Sequence, residues 1–326
     1  MAAESFTMRD GERTIRFGEG AADGAADLLS QSGFEEYALL TTERASGSVP
    51  LEDGATQVVH VPPGRVDEIS AALLADVVQA PLVALGGGRV IDTAKAIAGV
   101  TGAAVAAIPT TLSGAELTPF HRTPAGVEGA RLVRPSLVIA DPALMASQPG
   151  PQLAASAMNA LAHGMEALYT PLANPVAERA ALRGAELIAS DDVALGALLC
   201  GWASGMTGFA VHHATCQLIV RTAGTPHAQT NAVMLPHFAG MMAGRAPRVM
   251  GEFAHALGAP DGSPDAAAGR AAELSARSGH TRLATLGVEE QHLPAVAAAA
   301  MQHPALANTP DPPGEDELLA LLRDAL

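Results

Sequence analysis

The chain has 326 residues, 48% hydrophobic and 16% charged, with 19 Lys+Arg against 34 Asp+Glu and a formal net charge of −15. This composition excludes intrinsic disorder, and the scattered arginines offer no basic stripe for nucleic acid or an acidic membrane, which leaves small molecules as the expected partners. Cys200 and Cys216 are too few for a disulfide framework, and one residue in the whole chain, Lys95, is a lysine.

The N-terminal stretch MAAESFTMRDGER lacks an apolar signal core, so a cytoplasmic location is expected. A helical pattern over 22–31 precedes strand-like runs at 37–42 and 56–61. Helical periodicity follows over 67–78. The apolar run 81–85 ends in Gly86, Gly87 and Gly88, and a helix resumes over 90–99. Two more buried-type strands occupy 105–108, ending at Pro109, and 136–140, ending at Asp141-Pro142. This alternation predicts an α/β domain with a parallel sheet wrapped by helices.

Beyond Pro151 the strand-like runs stop and Ala/Leu-rich helical segments continue to the C-terminus. The reading is a dinucleotide-binding α/β domain over 1–150 followed by an all-α substrate and catalytic domain over 151–326. The stretch from Val193 to Val220 carries no Asp, Glu, Lys or Arg, and a membrane span needs only about 20 apolar residues. His212, His213 and Gln217 lie within it. Such groups would need partners inside lipid, so a buried helix pair lining a site is expected instead.

Three glycines between a buried strand and a helix let backbone N–H groups approach a pyrophosphate, and the helix N-terminus adds partial positive charge. Asp92 and Lys95, three apart on that helix, share a face. The spacing is not G-x-G-x-x-G, and a plain glycine turn with a surface ion pair remains the alternative. Thr110 and Thr111 supply hydroxyls just beyond the next strand, where ligands bind parallel sheets. Ser113-x-x-Glu116 has the capping-box pattern of a helix start. Thr42-Glu43-Arg44 follows another strand, and Glu43 favours NADH through a ribose hydroxyl without excluding NADPH.

Five of the 11 histidines fall between residues 163 and 237. Asn159 and His163, His213 and Gln217, and His227 and Asn231 each stand four residues apart, which puts three polar pairs on apolar helix faces. Buried polar groups need partners, so the pairs face one another or a ligand.

The order Gly-Gly-Gly-x-x-x-Asp-x-Ala-Lys (86–95), Pro-Thr-Thr-x-x-x-x-Glu (109–116), Asn-Ala-x-x-His-x-x-Glu-Ala (159–167), His-His-x-x-Cys (212–216) and Pro-His-Ala-x-Thr-Asn-Ala-x-x-Leu-Pro-His (226–237) resembles the iron-containing alcohol dehydrogenase superfamily, with its dehydroquinate synthase-like fold. Within it the motifs are most similar to the maleylacetate reductase branch, whose members serve the catabolism of aromatic compounds. The resemblance spans nearly the whole chain. It implies an NAD or NADP cofactor lying between the two domains, lined by Gly86, Gly87, Gly88, Asp92, Lys95, Thr110, Thr111 and Leu112, and it suggests a homodimer. It places Asn159, His163, His213 and His227 at the four positions that hold a divalent metal in the alcohol dehydrogenases. An aspartate is usual where Asn159 stands. Asparagine there implies catalysis without a bound metal, although His163, His213 and His227 could hold zinc. Without metal these imidazoles would stabilise charge on a substrate carbonyl oxygen or deliver a proton.

Two departures mark this chain. Gln217 stands where the family has a histidine after the cysteine, and glutamine cannot exchange a proton near neutral pH, so the role is lost or passes to His212. Arg89 replaces a small residue after the glycines. Three readings follow: a reductase of an unsaturated, anionic keto acid such as maleylacetate, a metal-dependent alcohol dehydrogenase, and a redirected or non-catalytic member. In so acidic a protein, an anionic cofactor and substrate require a locally positive site, expected from Lys95, Arg89, helix N-termini and the histidines.

Overall fold

Short runs of apolar residues, buried on both faces, form the centre of a seven-stranded sheet in a computed structural model that describes residues 5–260 and 262–326. The chain divides into two compact units that meet in sequence between Gln148 and Pro149. In the first, the strands are β1 (Phe6–Asp10), β2 (Arg13–Phe17), β3 (Ala38–Thr41), β4 (Gln57–His60), β5 (Leu82–Gly86), β6 (Val105–Pro109) and β7 (Leu137–Ala140). Their order is β1-β2-β7-β6-β5-β3-β4. Every neighbouring pair is parallel except the β1–β2 hairpin.

Period-two alternation sorts the strand residues onto two cores. Leu39, Val83, Leu85, Ile108 and Ile139 pack with Leu29 and Phe34 on one face. Ala38, Leu40, Ala84 and Ala107 pack with Ile91, Ala94 and Ile97 on the other. The helices of this unit are α1 (Ala25–Gln31), α2 (Val66–Leu73), α3 (Gly88–Thr101) and the short α4 (Pro142–Met145). Gly86 pairs with Pro109 in register, so the glycine turn and the Pro-Thr-Thr turn leave the sheet side by side. The structure corrects one local expectation: Ser113 and Glu116 open no helix, and 111–120 is an irregular loop. The hairpin was not anticipated. Its only sequence mark is Asp10-Gly11, where Gly11 adopts φ +60.

The second unit contains α5 (Gly150–Ala167), α6 (Pro175–Ala189), α7 (Val193–Thr207), α8 (Val211–Ala223), α9 (His227–Arg245), α10 (Pro247–Ala256), α11 (Ala266–Ser275), α12 (Leu293–Met301) and α13 (Glu315–Ala325). Among the described residues no single helix is long and apolar enough to cross a membrane. The uncharged stretch seen in the sequence becomes α7 and α8, bent by 101° and largely buried.

Glycines set how closely α5, α6 and α7 cross. A Cβ on Gly184 would lie 2.6 Å from Cys200 Sγ and 2.7 Å from the Gly196 carbonyl oxygen, and one on Gly164 would lie 2.7 Å from the same sulfur. Gly184→Ala therefore overpacks this crossing and should lower stability by about 1–3 kcal/mol in urea denaturation. Gly240→Ala, whose new Cβ would meet nothing nearer than Ala268 at 3.7 Å, should be neutral or stabilising by up to about 1 kcal/mol. Equal losses at both positions would contradict the close-approach account.

Candidate active site

The glycine turn of the first unit is built by close approach rather than by unusual dihedrals. A Cβ on Gly87 would meet Thr111 Cγ2 at 2.9 Å, and one on Gly88 would meet the Ser113 side chain at 3.0 Å. The 111–113 segment thus lies directly against the start of α3. The Thr110 N–H donates to the Gly86 carbonyl at 3.0 Å. No side chain caps α3 at Gly87, and an uncapped helix N-terminus suits an anion. Asp92 is half-buried on this helix, Arg89 is exposed at its start, and Leu112 is wholly buried. Thr42 leaves β3, the neighbour of β5, where its Oγ1 accepts from the Ala45 N–H at 3.3 Å. The adjoining Glu43 meets His60 at 2.9 Å in an exposed pair.

Lys95 is placed differently from the expectation that it offers charge to the nucleotide. It is fully buried. Its Nζ donates to Asp92 Oδ1 at 2.9 Å, to the Ala115 carbonyl at 2.9 Å and to the Phe120 carbonyl at 2.7 Å. Three donors meet three acceptors, so the lone lysine ties the 110–120 loop to α3 and has no N–H left for a phosphate.

In the second unit His163, His212 and His213 gather around Glu166, a carboxylate with no solvent exposure. Glu166 Oε1 accepts from the backbone N–H groups of His212 (2.9 Å) and His213 (3.3 Å) at the start of α8, and its Oε2 accepts from His213 Nδ1 at 2.6 Å. The His213 ring stacks on His163 with centroids 4.0 Å apart and 15° between planes. Behind His163, Nδ1 meets Ser204 Oγ of α7 at 3.2 Å. His213 Nε2 is buried and without a hydrogen-bond partner. His227, exposed at the first turn of α9, has Nε2 3.3 Å from Asn231 Nδ2, and Asn231 Nδ2 also donates to the His227 carbonyl at 2.8 Å. Asn159 is buried on α5 one turn before His163, and Gln217 is half-buried one turn after His213.

Burial pushes the Glu166 carboxyl up, and His212, two backbone donors and His163 pull it back. Burial, with His227 adding to it, pushes His213 down to about 3. His213 is therefore neutral at pH 7. With Nδ1–H donated to Glu166, its Nε2 presents a bare lone pair. His212 is also driven down to about 3, first by burial and then by His213. Its ring lies edge-on to Phe238 at 5.2 Å, with Nε2 3.7 Å from Cys216 Sγ. Two expectations are corrected here. His212 is a neutral core group that cannot take over a proton relay near pH 7, and neither it nor His213 adds positive charge to the site.

Sequence reasoning passed over Glu166, although its Glu-Ala motif was legible, and passed over Ser204 as a supporting group; the His227–Asn231 pairing it singled out is present. It also missed the 308–309 segment. There Thr309 Oγ1 accepts from the Val211 N–H at 3.1 Å and Asn308 Nδ2 donates to the Phe209 carbonyl at 2.8 Å, which fixes the turn before His212.

The donors fit a divalent iron poorly. Asn159, His163, His213 and His227 include no anion. Glu166, the nearby carboxylate, already accepts three N–H bonds. Among the described residues the one group with ligand atoms drawn within 4.8 Å is Glu166, His212 and His213, which is held together by those same bonds. A hard cation favours oxygen anions that this set lacks.

The depressed imidazole values carry a pH signature. Stability conferred by a neutral buried histidine is present above the unfolded value near 6.5 and is lost as pH falls from there towards 3. Between pH 7 and pH 5 the native protein should therefore lose about 1–2 kcal/mol more stability than His212→Gln, read from urea midpoints. Parallel profiles would show that His212 is not buried neutral.

The chain is matched by the family model for Fe-containing alcohol dehydrogenase, C-terminal, over residues 153–326, and by that for iron-containing alcohol dehydrogenase over 16–149. It is 32% identical to a maleylacetate reductase of Sphingobium indicum, covering 96% of this chain and 95% of that one. It is 36% identical to maleylacetate reductase 1 of Rhodococcus opacus, covering 77% and 74%. The crystal structure of maleylacetate reductase from Agrobacterium tumefaciens superposes with TM-score 0.83 at 29% identity, covering 99% and 98%. The glycine turn, the histidine cluster and these likenesses together establish the chain as an oxidoreductase of the iron-containing alcohol dehydrogenase family, in its maleylacetate reductase branch.

Proposed function

We infer that the protein is an NAD(P)H-dependent reductase that transfers hydride to an unsaturated, anionic keto acid, with maleylacetate the substrate and 3-oxoadipate the product. Residues 1–148 serve as the nucleotide-binding domain and 149–326 as the substrate domain. The observation that carries this reading is the stacked His163–His213 pair, each ring fixed from behind at Nδ1, beside an amide at Asn159. The maleylacetate reductases at 32% and 36% identity support the substrate class.

A nicotinamide cofactor, when bound, would supply the hydride. On arrival at the alkene carbon, the electron pair of the C=C bond moves through the conjugated ketone onto its oxygen. His163, with Ser204 Oγ–H donating to its Nδ1, directs Nε2–H at that oxygen, and the Asn159 amide is a second neutral donor. His213 Nε2, held as an acceptor by Glu166, orients a water that gives a proton to the adjacent carbon, and the hydroxide left behind takes its replacement proton from bulk solvent. No step passes through a metal. The enzyme works as a cytoplasmic homodimer on a small molecule.

Gln217 supports a second reading, a member redirected to another substrate, because among the described residues its amide makes no hydrogen bond although it shares a face with His213.

Oxidation of NADH and NADPH with maleylacetate should survive chelator dialysis that leaves below about 0.1 equivalent of metal. His163→Ala should lower kcat/KM about 100-fold. A protein that binds nucleotide yet leaves maleylacetate unreduced, and gains that activity on Gln217→His, would favour the redirected reading. Activity that disappears with the metal and returns with zinc or iron would overturn the metal-free mechanism.

A further inference from the structure

The break between α7 and α8 sets an aromatic side chain against the histidine pair, and a further imidazole against that side chain. Phe209, half-buried in the break, meets the His213 ring edge-on with centroids 6.2 Å apart, and meets the His303 ring at 6.2 Å with 52° between planes. Rings at these separations are in contact, so His163, His213, Phe209 and His303 follow one another as a row. The segment that carries His303 is fastened to the same break, where Asn308 holds the Phe209 carbonyl and Thr309 holds the Val211 N–H. His303 Nδ1 accepts from the Ala305 N–H at 3.1 Å, at the start of the single-turn helix Pro304–Asn308. A ring nitrogen that accepts carries no proton, so the neutral His303 ring has its proton on Nε2. Burial pushes His303 below its usual value, and among the described residues no charged group acts on it, so the ring is neutral at pH 7. The ring is half-buried, and among the described residues its Nε2–H donates to nothing.

An unsaturated keto acid needs the same groups in the same order. Its ketone oxygen takes the His163 donor, and the carbon beside the ketone takes a proton from the water on His213 Nε2. The next carbon receives hydride, and a carboxylate ends that arm. In the row of rings, an apolar surface and then a neutral N–H donor come after His213. We propose that Phe209 and His303 form the substrate's carboxylate subsite, with Phe209 packed on the alkene arm and His303 Nε2–H donating to the carboxylate at its end. This rests on the reading of the site as one that reduces an unsaturated keto acid. A hydrogen bond from a neutral donor to an ionised carboxylate is charge-assisted, so an anion is held without a buried cation. The Phe209 ring keeps water from one side of that arm, which strengthens the polar contact. His303 selects an arm of this length that ends in an anion, and it takes no part in the transfer of hydride or proton.

His303→Ser separates this role from the capping of the short helix, because a serine oxygen still accepts the Ala305 N–H while the Nε2–H is gone. With maleylacetate and NADH the variant should show its loss in KM, raised about tenfold. Two competitive inhibitors locate the contact. 4-Oxopentanoate keeps the ketone and the arm that ends in this carboxylate, whereas 3-oxobutanoate keeps the ketone and only the opposite carboxylate. His303→Ser should weaken inhibition by 4-oxopentanoate about tenfold and leave inhibition by 3-oxobutanoate unchanged. Nitrogen-15 NMR of histidine-labelled wild type reads the same contact without a variant: 4-oxopentanoate should shift the His303 Nε2 signal and 3-oxobutanoate should not. A wild type that reduces maleylacetate while its His303 signal ignores 4-oxopentanoate overturns this inference alone, whether or not the variant folds. Unchanged KM in His303→Ser, or equal weakening of both inhibitors, overturns it too. A wild type that leaves maleylacetate unreduced overturns the functional reading and this inference with it.

Discussion

Glu166 is the constraint on which the second unit depends. A carboxylate with no solvent exposure is costly unless its lone pairs are used. Here they accept two backbone N–H groups at the start of α8 and the Nδ1–H of His213. One side chain on α5 thereby caps another helix and satisfies orphan donors of its first turn. It also selects the tautomer of the imidazole that faces the site. Removing it would leave two N–H groups unpaired and let the His213 ring change tautomer. Stability and chemistry are therefore joined at this residue, and the neighbouring Ser204–His163 and Thr309–Val211 contacts hold the same frame from other directions.

The first unit is organised by an analogous economy. Its sheet brings the glycine turn and the Pro-Thr-Thr turn to adjacent positions, and the two loops touch because glycines leave no Cβ between them. What fixes the second loop is a pair of cations on backbone carbonyls, Lys95 and Arg13. In an acidic protein these cations are drawn inward to hold chain rather than displayed outward to attract anions. Arg89 and the uncapped α3 N-terminus remain as the outward positive features of the turn. Against the expectation of a locally positive site that includes Lys95 and the histidines, the glycine turn keeps only a helix terminus and Arg89, and the histidine cluster of the second unit offers neutral donors and lone pairs.

Much of this was legible in the residues. The strands β5, β6 and β7 announce themselves as short apolar runs ending in glycine, proline or aspartate, and the switch to helical periodicity after Pro151 marks where strands cease. The polar pairs at i,i+4 located Asn159, His163, His213 and His227 because helix geometry is local. The role of Lys95 was not legible, since its carbonyl partners lie 20 and 25 residues away and backbone acceptors leave no trace in sequence. Glu166 was visible as a letter in a motif, but its donors are 46 and 47 residues distant. The capping-box pattern at Ser113 misled because Glu116 is pulled into a buried charge cluster instead of reaching back to a helix start.

The central claim is that burial keeps His213 neutral while a buried carboxylate holds its proton on Nδ1 and leaves Nε2 bare, so that the site works by hydrogen bonding. Nitrogen-15 NMR of histidine-labelled protein reads this directly, with the His213 signals assigned by their loss in a His213→Gln variant. The account predicts one protonated-type and one bare-type ring nitrogen for His213, with the proton on Nδ1, unchanged from pH 8 down to pH 5. A His213 ring that carries its proton on Nε2, or that titrates near 6.5, would contradict it.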